Sequence, residues 1–391
     1  MKELGIGVIG MGWMGEAHSN AYNNIRAKFS HLNVSPKLII CSEILEQRAK
    51  EAKEKFGFSE YSCSWKDVVD NPKVDVVDIT APNSMHLEII KYCIKKNKHI
   101  SCEKPLGAFP DQSIEAYNLV KNYDKQTSVG YNYRYAPLVQ YTKKLIEDGS
   151  LGDLWYFKGR FFASYASDEL GFYSWRFEKE NGYGVLSDIM SHVVDMANYL
   201  MGSIKEVSAD MDTFIKQRPS APQGASHFGI GSKDDKMLDV TNDDFLSSLV
   251  KFDSGAKGHL DTSRVFQGPS CDMSFEIYGS KGSIKWNFEE MNTLHLYLKE
   301  DTKDSKATLG YKKIYSNPSH PYHANFNPAD GTGLGYEDLK TIETANFLSK
   351  ILNKEHKHFT DFSDAKNVGH VLNAMLKSIK SKSFEKVEGK K

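Results

Sequence analysis

Cysteine is scarce in this 391-residue chain, and the five present, Cys41, Cys63, Cys93, Cys102 and Cys271, form no Cys-x-x-Cys pair. Their scatter and odd number argue against a disulfide framework or a thiolate zinc site. Long apolar runs are missing too. No segment approaches the roughly 20 residues of a membrane span, and Met1-Lys2-Glu3 leads into an apolar strand without a signal-peptide core. An excess of either charge is equally absent: 50 Lys and Arg stand against 51 Asp and Glu, a net charge of −1. Such balance gives no broad attraction to nucleic acid or an anionic membrane surface. The expectation is a cytoplasmic globular protein with neither as partner. Histidines at 320, 323, 356 and 358 form a loose group, but no acid or cysteine completes a ligand set, so no metal is expected.

The length suggests more than one domain, and the most informative feature lies at the start. Gly5-Ile6-Gly7-Val8-Ile9 is an apolar run, Gly10-Met11-Gly12-Trp13-Met14-Gly15 follows it, and a helix-like stretch begins at Glu16. A strand, a glycine turn and a helix N-terminus in this order suit a dinucleotide. The first glycine allows the turn, the second admits a pyrophosphate, and the third lets helix pack on strand. The helix N-terminus then attracts the phosphates. Lys37 to Cys41 reads as a second strand, and Glu43 follows it where the fold needs an acid for the adenosine ribose. It lies somewhat beyond the usual spacing of about 20 residues, which a longer polar connection from Asn24 to Pro36 explains.

Apolar runs at Val74 to Thr80, Ile100 to Cys102 and Thr127 to Gly130 alternate with helical periodicity at Glu46 to Phe56, Met85 to Lys96 and Gln112 to Asp124. This alternation predicts a parallel sheet covered by helices, an NAD-binding Rossmann domain over residues 1–128. The remainder, 129–391, reads as an α+β domain whose open sheet face is available to the first domain or another subunit, and whose C-terminal helices can pack back on the first. It has a helix at Leu138 to Asp148, an aromatic strand from Leu154 to Tyr165, and period-two segments around 246–252, 273–277 and 284–288. Joined at Asp253-Ser254-Gly255 and Gly279-Ser280-Lys281-Gly282, these predict a large, mostly antiparallel open sheet. The Lys-rich end from Lys380 reads as a solvated tail.

Three groups are candidates for chemistry. Lys104, in Glu103-Lys104-Pro105, follows a strand end, where ligands sit in a doubly wound sheet, although an ordinary turn lysine fits there as well. Asp188 and His192 lie four apart in a helical run from Gly184 to Leu200, so that the acid can orient the ring of a general base. A capping aspartate and a core histidine would look the same. Tyr173-Ser174-Trp175-Arg176 and Tyr131-Asn132-Tyr133-Arg134 combine aromatic faces with a guanidinium, which suits a sugar wall or plain packing.

Taken with Ala81-Pro82-Asn83-Ser84-Met85-His86 and Gly130-Tyr131-Asn132-Tyr133-Arg134, the glycine turn, Glu103-Lys104-Pro105-Leu106 and Asp188-x-x-x-His192 resemble the glucose-fructose oxidoreductase, inositol dehydrogenase and MocA family. Trp175-Arg176, Asp261-Thr262-Ser263-Arg264 and Gly335-Tyr336-Glu337 are most similar to its levoglucosan and inositol dehydrogenase branch. The resemblance implies that Lys104, Asp188 and His192 are catalytic, that the peptide before Pro105 is cis, and that the open sheet makes dimers or tetramers. Expected NAD contacts are Gly10, Gly12, Trp13, Met14, Gly15, Glu43, Arg48, Thr80, Ala81, Pro82, Asn83, His86, Glu103, Lys104 and Asn132. Expected substrate contacts are Lys104, Tyr133, Trp175, Arg176, Asp188 and His192. The implied reaction is NAD-dependent oxidation of a secondary hydroxyl on a neutral cyclic polyol or sugar. A glycosidase using transient oxidation and a non-catalytic NAD-binding regulator remain as alternatives.

Overall fold

A computed structural model of the chain describes residues 1–222, 229–302, 306–354 and 359–389. It divides into two compact units, one of Met1–Tyr135 with Tyr322–Lys366, the other of Ala136–Pro321 with Asn367–Lys391. The first begins with β1 (Lys2–Ile9), α1 (Trp13–Lys28), β2 (Val34–Ser42), α2 (Glu46–Phe56), β3 (Glu60–Ser62) and α3 (Trp65–Asp70). It continues with β4 (Val76–Ile79), α4 (Asn83–Lys95), β5 (His99–Cys102), α5 (Pro110–Val120) and β6 (Thr127–Val129). All six strands are parallel, in the order β3-β2-β1-β4-β5-β6. Ile6, Val8, Val76, Val77, Ile79 and Ile100 are wholly buried, as strands covered on both faces require. Because the chain moves outward from β1 in both directions, a crevice opens at the carboxyl ends of β1 and β4. The short β3 and α3 lack a clear period and are not evident from sequence.

The second unit starts with α6 (Pro137–Glu147), β7 (Leu154–Ala163), α7 (Val185–Asp188) and α8 (Met190–Met201). Then follow β8 (Ile204–Asp212), a small hairpin of β9 (Gln217–Pro219) and β10 (Met237–Asp239), β11 (Phe245–Phe252) and β12 (Lys257–Ser263). Next come β13 (Cys271–Gly279), β14 (Gly282–Asn287), β15 (Thr293–Leu298) and β16 (Lys312–Tyr315). The chain returns to the first unit with α9 (His323–Phe326) and α10 (Tyr336–Ile351); α11 (Phe362–Ser381) and β17 (Glu385–Lys386) end it.

Nine strands form one sheet, β16-β15-β14-β13-β7-β12-β11-β8-β17, antiparallel except for the β7–β12 pair. The period-two residues face one way: Leu246, Val250, Phe252, Met273, Phe275, Ile277, Ile284 and Trp286 are buried. α8 covers β7 and β12 on this side, and α6 covers β14. The tail from Lys380 is more ordered than a solvated end, since Glu385 and Lys386 pair with β8 and Val387 is buried; Lys390 and Lys391 lie outside the described residues. The first unit also runs past residue 128 to include the turn Asn132–Tyr135, which packs on α10.

Phe275 stacks on Phe157 at 6.3 Å and on Trp286 at 5.5 Å between ring centroids. Phe275→Ala is expected to destabilise the second unit by ~3–5 kcal/mol, measured by urea unfolding.

Candidate active site

The glycine turn of the first unit divides its labour among three positions. Gly10 has φ 91°, a conformation that side chains disfavour. A Cβ on Gly15 would fall 2.0 Å from the Gly10 carbonyl oxygen, so this glycine lets α1 pack against the turn. A Cβ on Gly12 would meet nothing within 4 Å. Gly12 is also the N-cap of α1 and offers no side-chain cap, so the first N–H groups of the helix are left for a phosphate. Thr80 Oγ1 braces the turn at 2.6 Å from the Gly10 carbonyl.

Glu43 stands just past β2. Its carboxylate accepts the N–H of Met11 at 3.0 Å and of Ile44 at 2.9 Å, which holds it beside the glycine turn at the position a ribose acid requires. Arg48 is exposed on α2. Trp13 is 66% exposed and stacks on Tyr336 with centroids 5.2 Å apart; Tyr336 meets Tyr133 edge-on and donates to Met14 Sδ at 3.5 Å. Asn132 is buried, and its Nδ2 donor has no protein partner. An orphaned donor, an open Gly12 and an uncapped helix together fit a bound dinucleotide.

The Lys104-Pro105 peptide is cis. His86 supports this turn from below: its Nδ1 lies 2.7 Å from the Pro105 carbonyl and its Nε2 2.8 Å from the Ala81 carbonyl. Pro82 caps α4 and Asn83 begins it. Lys104 itself is half-buried. Glu103 points inward rather than to the crevice. One oxygen, Oε2, accepts the Lys104 backbone N–H at 3.2 Å, and Oε1 accepts from His18 Nε2 at 2.9 Å and from Lys340 Nζ.

These contacts belong to a charge cluster that sequence reasoning missed. His18 Nδ1 reaches Asp78 Oδ2 at 2.9 Å, and Lys340 also bonds Glu343 Oε1 at 3.1 Å. All five side chains are buried. With a carboxylate at each ring nitrogen, His18 must donate from both and is an imidazolium. Burial alone would lower its pKa, but Asp78 and Glu103 outweigh that and raise it to about 9. Burial likewise pushes Glu103 up, yet Lys340 and His18 hold it well below the ordinary carboxylate range. Asp78 gave the one legible signal, an acid amid the apolar run Val76-Val77-Asp78-Ile79.

In the second unit, the helix expected from Gly184 to Leu200 is broken at Ile189, where φ is −111°. Asp188 ends α7, and His192 sits in the first turn of α8 with its N–H on the Ile189 carbonyl at 3.1 Å, a three-residue step tighter than an α-turn. The continuous face predicted for the pair is thus a corner. Asp243 fixes the start of α7, accepting from Gly184 N and Leu186 N at 2.7 Å each. His192 is 6% exposed and lies beside Phe161. Asp188 Oδ2 is 3.4 Å from Arg176 Nη1 and 3.5 Å from the Tyr165 hydroxyl, and the Arg176 guanidinium lies 4.5 Å over the Trp175 ring. The structure therefore gathers Trp175, Arg176 and Asp188. Arg176 is held from behind, because its carbonyl accepts from Arg264 and Asn242 at 2.9 Å each.

The remaining histidines serve other ends. His320 Nδ1 accepts the Asn317 N–H at 3.0 Å and packs on Tyr141, and His323 is buried. His356 and His358 lie outside the described residues, as does part of the segment between Gln217 and Asp239.

A parallel sheet with this glycine turn, followed by a broad mixed sheet whose packed helices α7 and α8 carry an acid and a histidine, defines an NAD-binding oxidoreductase of two units. Residues 4–131 match the oxidoreductase family with an NAD-binding Rossmann fold, and residues 139–285 match the GFO/IDH/MocA C-terminal domain. The chain belongs to the GFO/IDH/MocA family. It is 34% identical over 388 residues to a levoglucosan dehydrogenase of Pseudarthrobacter phenanthrenivorans, covering 98% of each chain. It is 28% identical to a myo-inositol 2-dehydrogenase of Thermotoga maritima, over 88% of this chain and 95% of that one. A levoglucosan dehydrogenase solved with NADH and levoglucosan superposes with a TM-score of 0.91 at 32% identity, over 99% of this chain and all of that one. The protein is an enzyme, and NAD is its cofactor.

Two outcomes test the cofactor half. Gly12→Ala should leave the melting temperature unchanged, since its φ of −77° suits any residue and its Cβ meets no protein atom, while weakening NADH binding by at least about tenfold. Gly15→Ala should lose both, as read by thermal melting and NADH fluorescence. If Glu43 meets the adenosine ribose, a 2′-phosphate would meet a carboxylate, so NAD should be preferred over NADP by at least about tenfold, with the gap narrowed in Glu43→Ser when kcat/KM is measured for both.

Proposed function

We propose that this enzyme oxidises a secondary hydroxyl of a neutral cyclic polyol or sugar, such as an inositol, an anhydrosugar or an unphosphorylated pyranose. The observation that carries the reading is the pairing of Arg176 with Asp188 beside Trp175. A guanidinium already facing a carboxylate makes a wall of no net charge, whereas a phosphorylated ligand calls for a surplus of Arg, Lys or helix N-terminal donors. An aromatic face next to matched donors and acceptors suits a ring of C–H surfaces and hydroxyls. Similarity to the levoglucosan and myo-inositol dehydrogenases supports the same substrate class.

In this reading His192 takes the hydroxyl proton as general base. Asp188 orients that ring and accepts from a neighbouring hydroxyl. Lys104 donates to the reacting oxygen and stabilises the negative charge that develops there. NAD, when bound, supplies a hydride acceptor. Residues of the glycine turn, Glu43, Thr80 to Asn83, His86 and Asn132 hold or brace it. Tyr133, Trp175 and Arg176 line the substrate. The enzyme works in the cytoplasm, in keeping with its free cysteines; none of its described helices is long and apolar enough to cross a membrane. It forms a homo-oligomer through the sheet face opposite α6 and α8.

A screen for NADH formation over inositols, anhydrosugars, free hexoses, their 6-phosphates and glycosides tests this directly. We expect turnover on a neutral ring and much poorer use of its deoxy analogue. Preference for a 6-phosphate would overturn the substrate class, and release of an aglycone without net NADH would make the enzyme a glycosidase. Lys104→Met should cut turnover by at least about a hundredfold while NAD still binds.

A further inference from the structure

We propose that Lys340 and His18 are positioning residues for Lys104: by clamping one oxygen of Glu103 they fix its other oxygen as the acceptor that holds the Lys104 backbone N–H. The proposal rests on the reading of Lys104 as the donor to the reacting oxygen. Lys340 lies on α10 and His18 on α1, and neither helix carries Lys104. Both nevertheless end on Glu103 Oε1, while Oε2 faces the Lys104 N–H at 3.2 Å. A carboxylate gripped on one oxygen by two cations cannot rotate without breaking an ion pair, so the direction of its second oxygen is set.

The surroundings show why this grip is unusual. His18 is 2% exposed, Lys340 1% and Glu103 6%, so none of the three is compensated by water. Taking such ions out of water costs several kcal/mol each and is offset only by good geometry and complete bonding. Nonpolar residues of similar volume would serve stability at least as well, which leaves positioning as the gain. The charges also balance. His18 and Lys340 oppose Asp78 and Glu103, and Glu343 makes the sum zero when it carries a proton. Burial raises Glu343 to about 7, and its buried Oε2 has no acceptor or donor partner. Tyr22, Ser101 and Tyr135 are the other polar neighbours of this cluster, and Tyr336 lies one turn before Lys340. A Cβ on Gly130 would come within 2.7 Å of Glu103 Oε1, so the strand end beside it is bare to let the carboxylate in.

Lys340→Met removes the charge and keeps much of the volume. Hydrogen exchange on the whole enzyme, followed by mass spectrometry across residues 100–108, should show the Lys104 amide exchanging at least about tenfold faster in this variant, with the amides of the glycine turn unchanged. Kinetics should show kcat reduced by at least about tenfold, with KM for NAD and NADH affinity within about threefold of the parent. Unaltered exchange at Lys104 in a folded variant overturns the proposal. So does a fall in kcat matched by equal losses in NADH affinity and melting temperature, which marks a merely structural role. Should Lys340→Met fail to fold, His18→Gln carries the same expectations and the same overturning results. If Lys104→Met retains turnover while exchange responds as expected, the catalytic reading falls and the clamp stands.

Discussion

A negative charge at Glu103, out of reach of water, is the constraint around which the first unit is organised. It stands just past β5, receives cations from two helices and accepts a hydrogen bond from the backbone N–H of the next residue. Most helices of a doubly wound fold are held to their sheet by apolar contact alone. Here α1 and α10 are also tied by an ion pair to one atom, which sets their rotation and height as well as their distance. The same two helices present Trp13 and Tyr336, stacked at the opening of the glycine turn. Cofactor cradle and lysine turn therefore share one frame.

The second unit solves a different problem. Its acid and histidine stand at a corner between two short helices, where a small rotation changes what each faces. Buried polar contacts fix that corner: Asp243 seats the start of α7, and Arg264, itself bonded to Asp244 and Asn242, seats the backbone of Arg176. Arg218 and Arg264 both rest on the Phe177 ring, at 4.3 and 4.7 Å. Aromatic and guanidinium packing thus secures a wall whose exposed side is left to recognition.

Much of this was legible in the chain. Strand runs, helix periods and the glycine turn lead to the parallel sheet, and period two leads to the antiparallel one, because each pattern reports which faces are buried. The buried charges were not legible for the same reason. Lys340 and Glu343 carry no pattern that marks them as buried: α10 is covered on nearly every side, so its sequence has no polar stripe to set off an exposed face. His18 sits one turn past the glycines and looks like any helix histidine. The break at Ile189 leaves no Gly or Pro in Asp188-Ile189-Met190, so periodicity ran straight through it. Lys104, Asp188 and His192 were singled out through motif context, which periodicity alone does not supply.

The first unit is discontinuous, and this has a consequence for biosynthesis. Glu103 and His18 leave the ribosome long before Lys340, which arrives only after eight of the nine strands of the mixed sheet have been made, β17 alone following it. Until then the nascent Rossmann segment holds Asp78 and Glu103 against a single imidazolium, with a buried carboxylate short of its cation. Such a segment gains little by closing early. A chain that ends before residue 340 lacks the second cation of Glu103, so its cofactor half carries that charge imbalance into any folded state it reaches.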